Sequence, residues 1–145
     1  MKLPEMKKAL ITTIPFGEVD ATPLQLLKDS NIQYIINPMG RKFTQSELKK
    51  YIQDVDFLIA GTDKIDSEIL SYSKQLKFIS RVGIGLDSVD LLAARDMDIK
   101  ISYTPDGPTS AVAEFALNLI LTTMRKSFMS HMELKKGIWT KFLGK

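Results

Sequence analysis

The sequence predicts an α/β domain built on a five-stranded parallel sheet. Short apolar runs of strand length recur between residues 7 and 104, and most are closed by glycine or proline. Stretches with helix-start signals stand between these runs. Residues 76–125 hold a strand, a turn and a helix twice over: an apolar strand, a glycine turn, a helix, then a second strand stopped by Pro105 and a long apolar helix. Strands that alternate with helices imply right-handed crossovers and helices on both faces of the sheet.

The elements follow in order. Residues 7–13 (KKALITT) read as the first strand, ended by Pro15 and Gly17. Thr22-Pro23 reads as an N-cap followed by proline at the first helical position, opening a helix to about Ser30. Residues 32–37 form the second strand, stopped by Pro38 and Gly40. Thr44 and Glu47 have the spacing of a capping box and introduce a helix to about Tyr51. Residues 55–60 form the third strand, and Asp66 or Ser67 starts the next helix. Residues 78–82 form the fourth strand, short and apolar enough to be buried on both faces. A helix over residues 87–95 and a strand over 100–104 complete the sheet, for which a flavodoxin-like strand order is expected.

The final helix is different in kind. Ten of the fourteen residues from 111 to 124 are apolar, so its apolar surface runs nearly all the way round, and it has to be covered on more than one side. One side suits the sheet of this domain; the other calls for a further domain or a second subunit. A short helix to Lys136, stopped by Gly137, and a tail with Trp139, Phe142 and Leu143 follow. These features divide the chain into a domain over residues 1–108 and a long interdomain or dimerisation helix with its tail over residues 109–145, and they mark it as a piece of something longer.

Composition narrows the function. The 145 residues are 44% hydrophobic, and 20 basic side chains against 17 acidic ones give a net charge of +3 without any basic block. Nucleic acid is therefore not an expected partner. No cysteine is present and one histidine cannot by itself make a zinc site, so no metal is expected. Pro4 and Glu5 interrupt any signal-peptide core, and no apolar run reaches the roughly 18 residues of a membrane span, so the expected location is the cytoplasm, away from any membrane.

Gly83 and Gly85 let the backbone turn tightly and leave its N–H groups uncovered, a fit for a small anionic group. Around them, RVGIGLDSVDL (residues 81–91), ISYTPDGPTSAVAE (101–114) and the long helix ending TTMRK resemble the N-terminal, substrate-binding domain of the NAD-dependent D-isomer-specific 2-hydroxyacid dehydrogenases, and within that family phosphoglycerate dehydrogenase and its relatives. FLIAGTDKIDSEIL (57–70) is similar as well. The resemblance implies a two-domain parent enzyme that binds a small 2-hydroxy or 2-oxo acid in a cleft between this domain and an NAD-binding Rossmann domain. It implies that the substrate carboxylate is held by the amides of Ile84 and Gly85, with Gly83 shaping the turn and Ile84 also touching the cofactor. It assigns the catalytic histidine, its glutamate partner and the carboxylate-binding arginine to the Rossmann half, so no catalytic residue falls in this chain, which also lacks a GxGxxG fingerprint. Many phosphoglycerate dehydrogenases have an arginine-serine pair where Ala60-Gly61 stands here.

Every candidate has an ordinary alternative. Gly83 and Gly85 are otherwise tight-turn glycines at a strand end. Arg81 either lines the cleft or is an exposed charge. Lys64 stands at the carboxyl end of the sheet, where open α/β sheets bind ligands, or is a solvated loop lysine. Asp87 reads as a turn or N-cap group, Asp90 as an acid of the first helical turn and His131 as a surface histidine. An FMN-binding domain would need a glycine- and hydroxyl-rich phosphate loop where residues 12–17 read TTIPFG, and a phosphoacceptor domain would need an aspartate in place of Ala60-Gly61. A protein-binding module of the same fold, corepressor-like or a relic whose helix only dimerises, stands as the non-enzymatic alternative. A homodimer is expected in either case.

Overall fold

A computed structural model describes residues 6–144. The chain divides between Pro105 and Asp106 into two compact units. The first carries β1 (Lys7–Ile11), α1 (Thr22–Asp29), β2 (Ile32–Ile36), α2 (Gln45–Tyr51), β3 (Phe57–Ala60), α3 (Ser67–Tyr72), β4 (Phe78–Arg81), α4 (Leu91–Asp96) and β5 (Lys100–Tyr103). The strands lie in the order β2-β1-β3-β4-β5 and every pair is parallel, which is the expected flavodoxin-like order.

Register and crossover hand explain where the core lies. Leu10, Leu58, Ile79 and Ile101 are paired in one row across the sheet. The crossovers through α2, α3 and α4 all advance in the same direction, so right-handed connections put them on one face. Leu48, Ile69, Leu70 and Ala94 from those helices pack there with Leu10, Leu58 and Ile79. The crossover from β1 to β2 runs the other way, and α1 lies on the opposite face, where Leu27, Ala9, Phe57 and Phe78 border an apolar hollow of about 260 Å³. β4 is not buried on both sides: Ile79 and Arg81 are buried, whereas Phe78 and Ser80 are half-buried.

The helix starts are set locally except in two places. Thr44 and Glu47 form the expected reciprocal box, and Asp66 caps α3 through Ile69 N–H at 3.0 Å. The expected Thr22 cap is displaced: Ala21 occupies the cap position, and the Asp20 carboxylate accepts from Thr22 N–H at 2.9 Å, doing the work from one residue further out. Helix α4 begins at Leu91 rather than Asp87, with Asp90 as its cap accepting from Ala93 N–H at 3.0 Å. The cause is tertiary, because residues 87–88 make a turn that brings Val89 into a parallel bridge with Ile65, and the helix can start only after it. At the amino end of the sheet, burial pushes the Asp56 carboxyl up, but Lys7, Lys8 N–H and Lys77 outweigh it and hold the group below the usual carboxylate range.

The second unit contains α5 (Thr109–Arg125) and α6 (Ser127–Lys135), separated by Lys126 in the left-handed conformation at φ 55°. No residue of α5 is buried: Phe115, Leu119, Ile120 and Met124 are 60%, 50%, 55% and 46% exposed. Gly137 ends α6 at positive φ, and Trp139 in the tail is exposed. Among the described residues no helix is long and apolar enough to cross a membrane.

The box at α2 has a pH signature. Arg41 hydrogen-bonds Glu47 through both guanidinium nitrogens at 2.9 and 2.8 Å, and with Thr44 N–H and Oγ1 it lowers the Glu47 carboxyl from 4.5 to about 2. A depressed folded-state value means that the contribution is complete above about pH 4.5 and disappears as the pH falls toward about 2. Glu47→Gln is expected to lower the urea midpoint at neutral pH and to approach the wild type as the pH drops through that window. A difference from wild type that does not change between neutral and acid pH would show that the carboxylate's charge contributes nothing.

Candidate functional site

The carboxyl ends of β1, β3 and β4 converge on one edge of the first unit, and specific hydrogen bonds stop each strand there. Thr12 leaves β1 with its N–H still on Ile59 O at 2.9 Å, while its Oγ1 accepts from Gly61 N–H at 3.1 Å. The buried Asn37 donates from Nδ2 to Thr12 O at 3.2 Å and to Arg41 O at 2.9 Å, which pins the end of β2 to the same edge. A Cβ on Gly61 would lie 3.0 Å from Thr13 Cα, so this approach of two backbones needs glycine. Ala60 is fully buried and presents nothing to a ligand.

After β4 the chain makes the glycine turn. Val82 N–H donates to Ala60 O at 2.9 Å and Thr104 N–H to Gly83 O at 3.1 Å, so the turn is held from both neighbouring strand ends. Gly83 has φ +141°, and a Cβ there would meet Arg81 Nη1 at 2.7 Å. Gly85 is outside the left-handed region, and its built Cβ would meet only the Asp87 carboxylate, at 2.6 Å. Ile84 between them is 58% exposed. The N–H groups of Ile84 and Gly85 have no acceptor among the described residues.

Arg81 is not the exposed strand-end charge. It is 9% exposed, its guanidinium lies against Gly83, it donates through Nη1 to Val82 O, and its Nε is buried without a partner. A cation and two free amides therefore meet at one turn, which suits a small carboxylate. Lys64 is differently placed: its side chain is 71% exposed and pairs with Asp66 at 3.1 Å, beside the cap of α3. Asp87 is in a turn and faces Gly85 rather than capping α4, and His131 is exposed on α6.

One polar residue at this edge was not singled out in the sequence. Asp63 is 2% exposed and its Oδ1 has no partner among the described residues. It looks like an ordinary loop acid, but Gly61, Asp63 and Ile65 are buried while Thr62 and Lys64 are exposed, so Asp63 occupies an inward position of an extended segment. A strict alternation between the third strand and Ile65 is the signal that points to it.

An open α/β sheet that carries an anion-sized turn at its carboxyl edge belongs to the class that binds small ligands there. The chain is a member of the D-isomer specific 2-hydroxyacid dehydrogenase family, whose catalytic domain is matched by residues 10–140. It is 38% identical over 98 residues to a hydroxypyruvate reductase of Thermotoga maritima, covering 67% of this chain and 32% of that protein. It is 34% identical over 108 residues to a D-3-phosphoglycerate dehydrogenase of Archaeoglobus fulgidus, covering 73% and 20%. Among solved structures, the TT0316 protein from Thermus thermophilus superposes with a TM-score of 0.85 at 29% identity, covering 94% of this chain and 44% of that one. The NAD+-bound 3-phosphoglycerate dehydrogenase of Entamoeba histolytica has the same fold, with a TM-score of 0.79 at 24% identity and coverage of 97% and 43%. The chain thus spans about a third or less of the length of these two curated relatives.

The two glycines of the turn differ in kind. Gly83→Ala combines a disfavoured φ with a collision against the guanidinium and is expected to cost about 2 kcal/mol. Gly85→Ala needs only a swing of the flexible Asp87 side chain and is expected to cost less than about 1 kcal/mol. Urea denaturation of both variants is the measurement; equal losses would show that the backbone conformation at Gly83 is not what requires glycine.

Proposed function

We propose that this chain is the substrate-holding part of an oxidoreductase that interconverts a D-2-hydroxy acid and a 2-oxo acid with NAD, phosphoglycerate dehydrogenase-like in kind. The observation that carries the reading is the turn itself: the Ile84 and Gly85 N–H groups without acceptors, beside the buried Arg81 guanidinium. The amides receive the carboxylate oxygens, and Arg81 supplies positive potential from within the protein, where it is less screened than a surface charge. Gly83 holds the turn open, and Lys64 contributes only long-range positive charge from its pair with Asp66.

NAD, when bound to the whole protein, supplies the hydride chemistry. The exposed Ile84 fits that partner, its apolar side chain suiting contact with a nicotinamide ring. Proton transfer is assigned to residues outside these 145, since the family resemblance puts the catalytic histidine in the NAD-binding half. Cytoplasmic residence is part of the same proposal, in keeping with the dehydrogenase family to which the chain belongs.

The test is Gly85→Val in the complete enzyme. A branched side chain over the free amides is expected to raise KM for the acid at least about tenfold with a smaller change in kcat, the pattern of lost ground-state binding. In the same assay the 145-residue chain alone is expected to turn over no 2-oxo acid with NADH. Unchanged kinetics in a folded variant would return the glycines to a structural role, and turnover by the chain alone would remove the division of labour.

The chain is proposed to self-associate as a two-fold homodimer through α5, because Val112, Phe115, Leu119 and Ile120 are all at least half-exposed. Burying such surface is favourable by roughly 25 cal/mol per Å², partly offset by association entropy. Sedimentation equilibrium is expected to show dimers, weakened by Phe115→Glu. A monomer across the accessible concentration range would exclude this helix as a self-contact.

A further inference from the structure

The two edges of the sheet are finished differently. β5 is four residues long and opens on Lys100, whereas β2 is five residues long, reads Ile-Gln-Tyr-Ile-Ile, and carries neither a charge nor a proline. Its pairing with β1 runs one-to-one from Ile32 to Ile36, so no bulge turns this edge aside. A groove of about 610 Å³ runs along it, lined in part by Lys8, Lys28, Asn31 and residues 32–35. Charge, proline, a bulge and a covering segment are the usual means by which an edge strand is kept from pairing. Strand β2 has none of the first three, and the groove leaves its side open where the fourth would lie.

The hydrogen-bond phase of β2 fixes which of its backbone groups are free. Asn37 N–H donates to Ile11 O at 2.8 Å, and in a parallel ladder alternate residues turn both N–H and C=O to the same neighbour. Residues 33, 35 and 37 therefore bond β1, while Ile32, Tyr34 and Ile36 point their groups away from the sheet. No strand among the described residues lies beyond β2. The three outward residues are spaced evenly about Tyr34. An antiparallel copy centred there sets Tyr34 opposite its own counterpart and Ile32 opposite Ile36, which is the self-complementary pattern that a two-fold axis requires. The side chains agree with it. The exposed Gln33 comes opposite Ile35, which is 42% exposed and pairs with the core residue Leu10. Because α1 ends just before β2, antiparallel pairing also carries the two Lys28 ammonium groups to opposite ends of the pair.

We propose that β2 is an interaction surface that takes β2 of a second copy of this chain in antiparallel pairing, joining two five-stranded sheets into one continuous sheet. The outward N–H and C=O groups of Ile32, Tyr34 and Ile36 then bond the same groups of the partner strand, and neither copy has to change its backbone. The occupant is a second copy rather than an unrelated peptide, because the even spacing about Tyr34 and the match of Gln33 with Ile35 are properties of this strand against itself. An uncharged strand also meets its own copy without like-charge repulsion. The surface belongs to the first unit and is independent of the self-contact proposed for α5.

Amide hydrogen exchange on the Phe115→Glu chain, in which the α5 contact is weakened, tests this surface alone. Between dilute samples and samples of about 1 mM, exchange at Tyr34 and Ile36 is expected to slow at least about fivefold. Ile101 and Tyr103, whose groups point outward on the β5 edge by the same alternation, are expected not to change. Tyr34→Pro removes an outward N–H and no bond of the β1 ladder, and Ile35→Lys places a charge beside the new pairing; each is expected to abolish the concentration dependence. Rapid exchange of Tyr34 and Ile36 at every concentration would overturn the proposal and leave the edge to a partner of another kind. Slow exchange at every concentration would overturn it too, by showing that a segment of the same chain covers the strand. A concentration dependence that survives Ile35→Lys would place the contact elsewhere and have the same effect. The exchange of the unsubstituted strand decides the matter even where Tyr34→Pro does not fold.

Discussion

The termination of the parallel ladder at its carboxyl edge is the constraint on which the rest depends. A parallel strand cannot hand its last peptide groups to a hairpin neighbour, so each end must be closed by something else. Here the closures are Thr12 Oγ1 on Gly61, Asn37 on Thr12 and Arg41, Val82 on Ala60, and Thr104 on Gly83. Each one also fixes a wall of the concave edge where the glycine turn lies. The geometry of that edge is therefore a by-product of finishing the sheet, and two positions in it, 61 and 83, accept no Cβ without movement.

The turn balances its charges unevenly. Arg81 approaches Gly83 and Asp87 approaches Gly85, so opposite charges flank two unpaired amides. Arg81 is buried with its Nη1 already on Val82 O, which fixes the cation in place, whereas Asp87 is anchored only by its own backbone turn. The turn thus presents a fixed positive group and a movable negative one, and the movable one can turn toward water at little cost.

Much of this was legible in the sequence because it is local. The capping box at Thr44, the glycine turn and the alternation of strands and helices each depend on residues within a few positions, and each appears where the pattern puts it. The readings that shifted depended on contacts distant in sequence. Helix α4 starts late because Val89 is bridged to Ile65, and β4 is half-open because three crossovers advance one way and one the other. Arg81 was undecided because a strand-end arginine reads the same whether its guanidinium folds back or points to solvent. Asp63 escaped notice for a related reason: its acid is polar enough for a loop, and only the burial of Gly61 and Ile65 on either side reveals that it faces inward.

The Thr12–Gly61 hydrogen bond also bears on the order in which the molecule can assemble. The two residues are 49 positions apart, whereas β3 meets β4 and β4 meets β5 across only about 20. Loop-closure entropy grows with the logarithm of length, so joining β1 to β3 costs about 0.7 kcal/mol more than either neighbouring junction before any contact offsets it. The segment from β3 to β5 closes its own short loops and carries the glycine turn with it. The carboxyl edge beside that turn, where Thr12 meets Gly61, is complete only once the most distant pairing in the sheet is made.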